Sequence, residues 1–218
     1  MEKVVVVSSG GMDSATLLYH MVDAGHQVKS LSINYGQRHV KEIDFAKRLA
    51  DHLQIEHAVA DISAINHLLG NNSLSGREID IPEGHYEEES MKLTVVPNRN
   101  MILLSVAIAW AVSNKFDAVA YGAHSGDHAI YPDCRPEFAE AMDQAAQLCD
   151  WNPVKLLRPF VHLDKGDIAQ RGHELGVPFA ETWTCYKGQE KHCGKCGACT
   201  ERKEAFAKHG LKDVTDYA

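Results

Sequence analysis

Three observations predict an α/β fold built on a doubly wound, mostly parallel sheet. A valine run at residues 4–7 leads directly into a Ser/Gly loop. Apolar strand-like and amphipathic helical segments then alternate along the chain. The 218 residues suit one substantial α/β domain with a small C-terminal appendage.

The run at 4–7 is apolar without alternation, as expected for a strand covered on both faces. From 13 to 24, Ala15, Leu17, Leu18, Met21 and Val22 recur at helical spacing, and Gly25 supplies the stop. A second strand reads from 28 to 33. The helix predicted over 38–53 places Val40, Ile43, Ala46, Ala50 and Leu53 on one face. A third strand at 55–60 completes the repeating pattern, which puts ligands at the carboxyl ends of the strands. Residues 70–90 are rich in Asn, Ser, Gly and Glu, and a loop this long is expected to act as a lid or subunit contact near the site. A buried helix over 99–113, a strand at 117–121, a His- and Asp-rich loop and a helix over 137–148 follow. The last strand, 154–157, precedes a helix opened by Asp164 as N-cap and closed by Gly176, with Pro178 beyond. Residues 1–180 are thus expected to form the main domain and 181–218 a cysteine module with a C-terminal helix.

With 22 basic and 30 acidic residues the formal charge is −8, which argues against a surface that neutralises many nucleic-acid phosphates. Anionic ligands must be held locally, by backbone N–H groups, a metal ion or a few Arg and Lys. The longest nearly apolar run, 101–112, falls short of the roughly 20 residues of a membrane-spanning helix. No signal peptide is visible, so a cytoplasmic protein is expected.

Of six cysteines, Cys185, Cys193, Cys196 and Cys199 follow the pattern C-x7-C-x2-C-x2-C. Gly194 and Gly197 free the backbone to turn around a metal within the short spacings. Four thiolates with no open position describe a structural Zn²⁺ site, and the little apolar mass nearby leaves metal binding to supply the ordering free energy. An iron–sulfur cluster is the competing reading, since C-x2-C-x2-C also occurs in cluster-binding sequences. Of the other two, Cys149 is expected to be a small buried hydrophobe and Cys134 to contact substrate. His124 and His128, near Asp127, read as loop hydrogen-bonding groups.

Ser8-Ser9-Gly10-Gly11-Met12-Asp13-Ser14 lies between a strand and a helix, where unpaired N–H groups and the positive end of the helix dipole converge. An anion belongs there. Adjacent glycines allow close approach to phosphate oxygens, and Ser9 and Ser14 add hydroxyl donors. No Lys-Ser/Thr follows at Walker spacing. The loop resembles the SGGxDS signature of the ATP pyrophosphatases, which split ATP between its α and β phosphates. That resemblance implies an adenine nucleotide alpha hydrolase-like fold. It also implies ATP binding by Ser8, Ser9, Gly10, Gly11, Met12, Asp13, Ser14, Ala15, Thr16, Leu17 and Leu18, with Asp13 supporting the loop or its Mg²⁺.

Four further segments narrow the family: Asn34-Tyr35-Gly36-Gln37-Arg38-His39, Val96-Pro97-Asn98-Arg99-Asn100, the stretch from Tyr131 to Phe138, and the stretch from Thr182 to Gly188. Together they look like the 7-cyano-7-deazaguanine synthase family of queuosine biosynthesis, over almost the whole chain. The resemblance implies conversion of 7-carboxy-7-deazaguanine and ammonia to the 7-cyano compound, through adenylated acid and amide intermediates. It also implies zinc on the four cysteines and a homodimer. Within this reading Arg99 and Lys165 are candidates for the ATP phosphates, Arg135 for the substrate carboxylate and Asp133 for the guanine-like N–H edge. Asn98 stands where commoner forms of the family carry Gly. The alternatives are an enzyme stopping at the amide and a tRNA-thiolating pyrophosphatase.

Overall fold

Val4, Val5 and Val6 are wholly buried because their strand, β1 (Lys3–Val7), lies mid-sheet. The computed structural model describes residues 1–70, 72–76, 78–85 and 89–218. In these, β1 is flanked by β2 (Gln27–Asn34) and β4 (Ala118–Ala120), with β3 (His57–Asp61) and β5 (Lys155–Leu157) at the edges. The order is β3-β2-β1-β4-β5, and every pairing is parallel. Strand order reverses between β1 and β4, so the chains leaving their carboxyl ends diverge and open a crevice.

Side-chain alternation divides the core between the two faces. Val5 and Val119 pack with Leu104 and Ala107 of α3 (Arg99–Ser113) and Met142 of α4 (Pro136–Leu148). Val4, Val6, Ala118 and Ala120 pack with Leu17 and Leu18 of α1 (Met12–Asp23), Ile168 of α5 (Lys165–Glu174) and Phe206 of α6 (Gly197–Lys208). The predicted N-cap is in place, with the Asp164 carboxylate accepting from Asp167 N at 3.1 Å.

The second helix, α2, runs only from Glu42 to His52. Residues 38–41 instead form a turn with short-range bonds such as Glu42 N to His39 O, 2.9 Å, and Val40 is exposed. Two constraints upstream forbid an earlier start: Gly36 has φ +90°, and Arg38 N is committed to Leu74 O at 2.8 Å. Cys149 follows the last turn of α4 and is exposed, against the expectation of burial.

The described part of 70–90 does not cover the crevice. Leu74 packs with Tyr35 and Val96, Ile81 packs with Trp183 and the cysteines, and Glu83 bridges to Cys196. Residues 71, 77 and 86–88, which the lid expectation also includes, lie outside the described residues. Segment 181–218 joins the main core through α6, where Phe206 meets Phe179 edge to face at 5.0 Å. Among the described residues no helix is long and apolar enough to cross a membrane.

Candidate active site

The crevice opens where β1 gives way to the glycine loop. Gly10 has φ +81°, and a Cβ there would stand 2.8 Å from Ala46 N and overlap the Glu42 carbonyl. Only glycine lets α2 press this closely on the loop. Ser14 Oγ donates to Gly11 O and accepts from Ser9 N, both at 3.2 Å, so the loop is folded by its own hydroxyls. No side chain caps the first turn of α1, which leaves its N–H groups directed at the crevice.

Ser9, Gly11, Met12, Asp13 and Ser14 line this space. Ser8 lies behind them, its carbonyl accepting from Ser32 Oγ at 2.6 Å. Ala15, Thr16, Leu17 and Leu18, also expected to bind nucleotide, are fully buried and none lines the crevice. Ala15, Leu17 and Leu18 belong to the core beneath α1, and Thr16 lies against Gly172 of α5, so together they hold α1 in place.

Charged groups gather beside the loop. Lys165 Nζ lies 3.2 Å from Asp13 Oδ2 and 2.6 Å from Glu201 Oε2. Burial works against the lysine charge, but Asp13, Glu201 and Asp127 outweigh it and raise the pKa, so the side chain is an ammonium at neutral pH. Burial raises the pKa of Glu201, with Lys165 and His124 opposing. His124, 1 % exposed, reaches Asp127 at 3.5 Å and Asp13 at 3.8 Å. Asp13 Oδ1 is buried with no hydrogen-bond partner among the described residues.

The opposite wall carries Arg99 with Tyr35, His39, Glu42 and Tyr186. Asn98 initiates α3 with φ +57°, a left-handed conformation that glycine adopts freely and asparagine tolerates best after it. Burial opposes the Arg99 charge, yet Tyr35, Tyr131, Cys134 and Tyr186 raise its pKa further. Burial pushes Glu42 up to about 8, against the moderating effects of Gln37 and Arg99. Burial, and then Arg99, lowers His39 to about 4. Burial thus works against the charged form of both Glu42 and His39, which lie 3.3 Å apart. Cys134 also faces the crevice, but burial and then Asp127 raise its pKa, so it stays a thiol bonded to Asn100 Nδ2 at 3.2 Å. A thiol in that state is a poor nucleophile.

Of the residues singled out in sequence, Asp13, Arg99 and Lys165 meet in this one space. Asp133 and Arg135 do not line it. Asp133 Oδ2 accepts from Asn100 N at 2.9 Å, at the start of α3, and Arg135 is exposed with Nε on His128 O at 2.9 Å. The tight turn Pro132–Cys134 directs Cys134 inward and its neighbours outward. Tyr35, His39, Glu42, Tyr186 and Glu201 were not singled out as site residues. Tyr35, His39 and Tyr186 lie in segments that carry the family resemblance, whereas Glu42 and Glu201 have no local signal.

The four cysteines form a metal site. Their sulfur atoms all lie within 4.8 Å of one another, compatible with one tetrahedral ion. Cys185 Sγ accepts from Cys193 N at 3.4 Å, and Cys193 Sγ accepts from Cys196 N at 3.3 Å and Lys195 N at 3.5 Å. Such N–H donors stabilise thiolates. Gly194, with φ +70°, makes the turn between Cys193 and Cys196.

A family model described as "Queuosine biosynthesis protein QueC" matches residues 3–210. The chain is 54% identical over 216 residues to a 7-cyano-7-deazaguanine synthase of Pseudoalteromonas translucida, covering 99% of each chain. It is 52% identical over 215 residues to one of Methanoregula boonei, again covering 99% of each. Among solved structures, the U34-tRNA thiolase NcsA from Methanococcus maripaludis with its [4Fe-4S] cluster superposes with a TM-score of 0.54 at 16% identity, over 95% of this chain and 65% of that one. NMN synthetase from Francisella tularensis gives 0.53 at 20% identity, over 97% and 78%. At these identities the two structures establish a shared fold.

Proposed function

The chain belongs to the QueC family of queuosine biosynthesis proteins, and on that premise we propose that the crevice between β1 and β4 is where ATP activates first a carboxylate and then an amide. The family reaction is ATP-dependent formation of 7-cyano-7-deazaguanine, preQ0. The convergence of Ser9–Ser14 N–H and hydroxyl groups, Asp13 and Lys165 at one end, with Arg99 opposite, carries the assignment.

The chemistry needs this arrangement. The substrate carboxylate oxygen attacks the α-phosphorus, and pyrophosphate leaves into the glycine loop, where N–H donors and the Lys165 ammonium stabilise the charge it gains. Ammonia attacks the acyl carbon, a proton is lost and AMP departs, giving the amide. In the second round the amide oxygen displaces pyrophosphate from another ATP. Loss of the two amide protons and of AMP then leaves C≡N. Both rounds add AMP to an oxygen on the same carbon, so one site serves both.

Arg99 is the guanidinium facing the crevice and takes the role of binding the substrate carboxylate or the α-phosphate in place of exposed Arg135. The unpartnered buried Oδ1 of Asp13 fits a hard cation, and with the ATP phosphates Asp13 would hold Mg²⁺, which supplies charge neutralisation there. Four close thiolates without an open position favour structural zinc in the cysteine site. Thiolate ligation suits a reducing cytoplasm, and a homodimer is the assembly the family resemblance implies.

Incubation with ATP and 7-carboxy-7-deazaguanine, with and without ammonia, tests the reading. Nitrile, AMP and pyrophosphate are expected in the complete mixture. A mass spectrum showing amide alone would reassign the product, and no AMP release would remove the assignment.

A further inference from the structure

Glu201 takes no part in the chemistry above, yet its carboxylate is closer to Lys165 than that of Asp13, at 2.6 Å against 3.2 Å. It stands on the opening turns of α6, two residues beyond Cys199. That part of α6 is held from several directions. Cys196 is the N-cap, and Cys196 and Cys199 both belong to the metal site. Arg202, fully buried, donates to Thr182 Oγ1 at 2.7 Å, Thr184 Oγ1 at 3.1 Å, Phe179 O at 3.0 Å and Asp213 Oδ1 at 3.3 Å. On its far side Glu201 Oε1 lies against Gly126 of the loop after β4, 3.1 Å from where a Cβ would be. A carboxylate carried on so constrained a turn is a fixed reference point.

Lysine needs such a reference. Its flexible four-carbon stem carries a compact charge that does not orient itself, and charge stabilisation in a transition state requires donors already in place. We propose that Glu201 is the positioning residue for Lys165, aiming its ammonium past Asp13 at the departing phosphate. The four-cysteine segment thereby becomes part of the ATP-cleaving machinery. The proposal rests on reading the crevice as the ATP site.

Electrostatics separates this role from simple neutralisation of a buried lysine. Removing Glu201 takes a negative charge away from an anion site, so ground-state ATP affinity is not expected to fall. Mis-aiming the ammonium slows pyrophosphate departure, so the loss belongs in kcat.

The test uses the metal-loaded full-length chain with E201A, E201Q and E201D, following pyrophosphate release and measuring ATP binding by calorimetry, with metal content and Tm as fold controls. E201A is expected to lower kcat about tenfold or more, as loss of a supporting partner does, with ATP Kd changed by less than about threefold. E201Q keeps an oxygen acceptor for Lys165 and should recover most of the rate. E201D keeps the charge but withdraws it by one methylene, so it should be slow. Wild-type kcat in E201D would overturn positioning in favour of neutralisation, and so would unchanged kcat in E201A. If E201A does not fold, the contrast between E201Q and E201D decides alone. Absence of pyrophosphate release from the wild-type chain would instead sink the functional reading.

Discussion

The peptide N–H of Trp183 donates to the carbonyl oxygen of Gly10 at 2.8 Å, tying the segment that carries the four cysteines to the glycine loop. Gly10 is thus held on one side by Trp183 and on the other by α2, with a positive φ. A methyl group there has no space, so G10A must displace the loop. Activity is expected to fall at least about 100-fold, with a stability cost of about 1–3 kcal/mol. Pyrophosphate release and urea unfolding would measure the two, and near-normal G10A turnover would show that the loop tolerates a shift.

Arg99 and Arg135 are separated by their surroundings: one is buried among tyrosines in the crevice, the other is exposed on the loop before α4. R99K keeps the charge but loses the planar fork, and kcat/KM should drop by about tenfold or more. R135K should stay within about threefold of wild type, as exposed substitutions do. Steady-state kinetics with 7-carboxy-7-deazaguanine check both, and the reverse ranking would return the carboxylate-binding role to Arg135.

Stability should depend on pH through Glu42. Its folded pKa, about 8, is raised above the ordinary value of 4.5. The contribution of the neutral carboxyl is therefore complete below about pH 4.5 and is lost as pH rises through 8, at about 1.4 kcal/mol per pH unit within that window. E42Q cannot ionise. Its stability relative to wild type, from urea melts at pH 5 to 9, should improve steadily to about pH 8 and then level off; a pH-independent difference would mean that Glu42 ionises freely in the fold. His39 acts oppositely: lowered to about 4, it withdraws stability as pH falls from 6.5 toward 4.

Removing one sulfur from the metal site should release the ion and loosen the joint with the glycine loop. C199S is expected to retain well under one metal per chain and to lower Tm by more than about 5 °C, given the share of folding free energy that structural metals provide. Elemental analysis and a thermal melt, with chelator-treated wild type for comparison, measure this. Full metal content in C199S would show that three sulfurs suffice.

Sequence alone determined what local pattern encodes. The valine run, the Asp164 cap and the period of α3 and α4 specify their elements through short-range sterics and burial. The phosphate loop and the C-x7-C-x2-C-x2-C spacing specify chemistry because all their parts are neighbours in the chain. Tertiary structure decided what depends on which side of an element faces the crevice. It turned Ala15, Thr16, Leu17 and Leu18 into the core, delayed α2 to Glu42 and set Asp133 and Arg135 outside. It also brought Glu42 and Glu201 in from helices distant in sequence. An acidic residue on a helix reads as solvated surface until packing removes its water. Burial and a partner across the fold, which no local window contains, are what set it at the crevice instead.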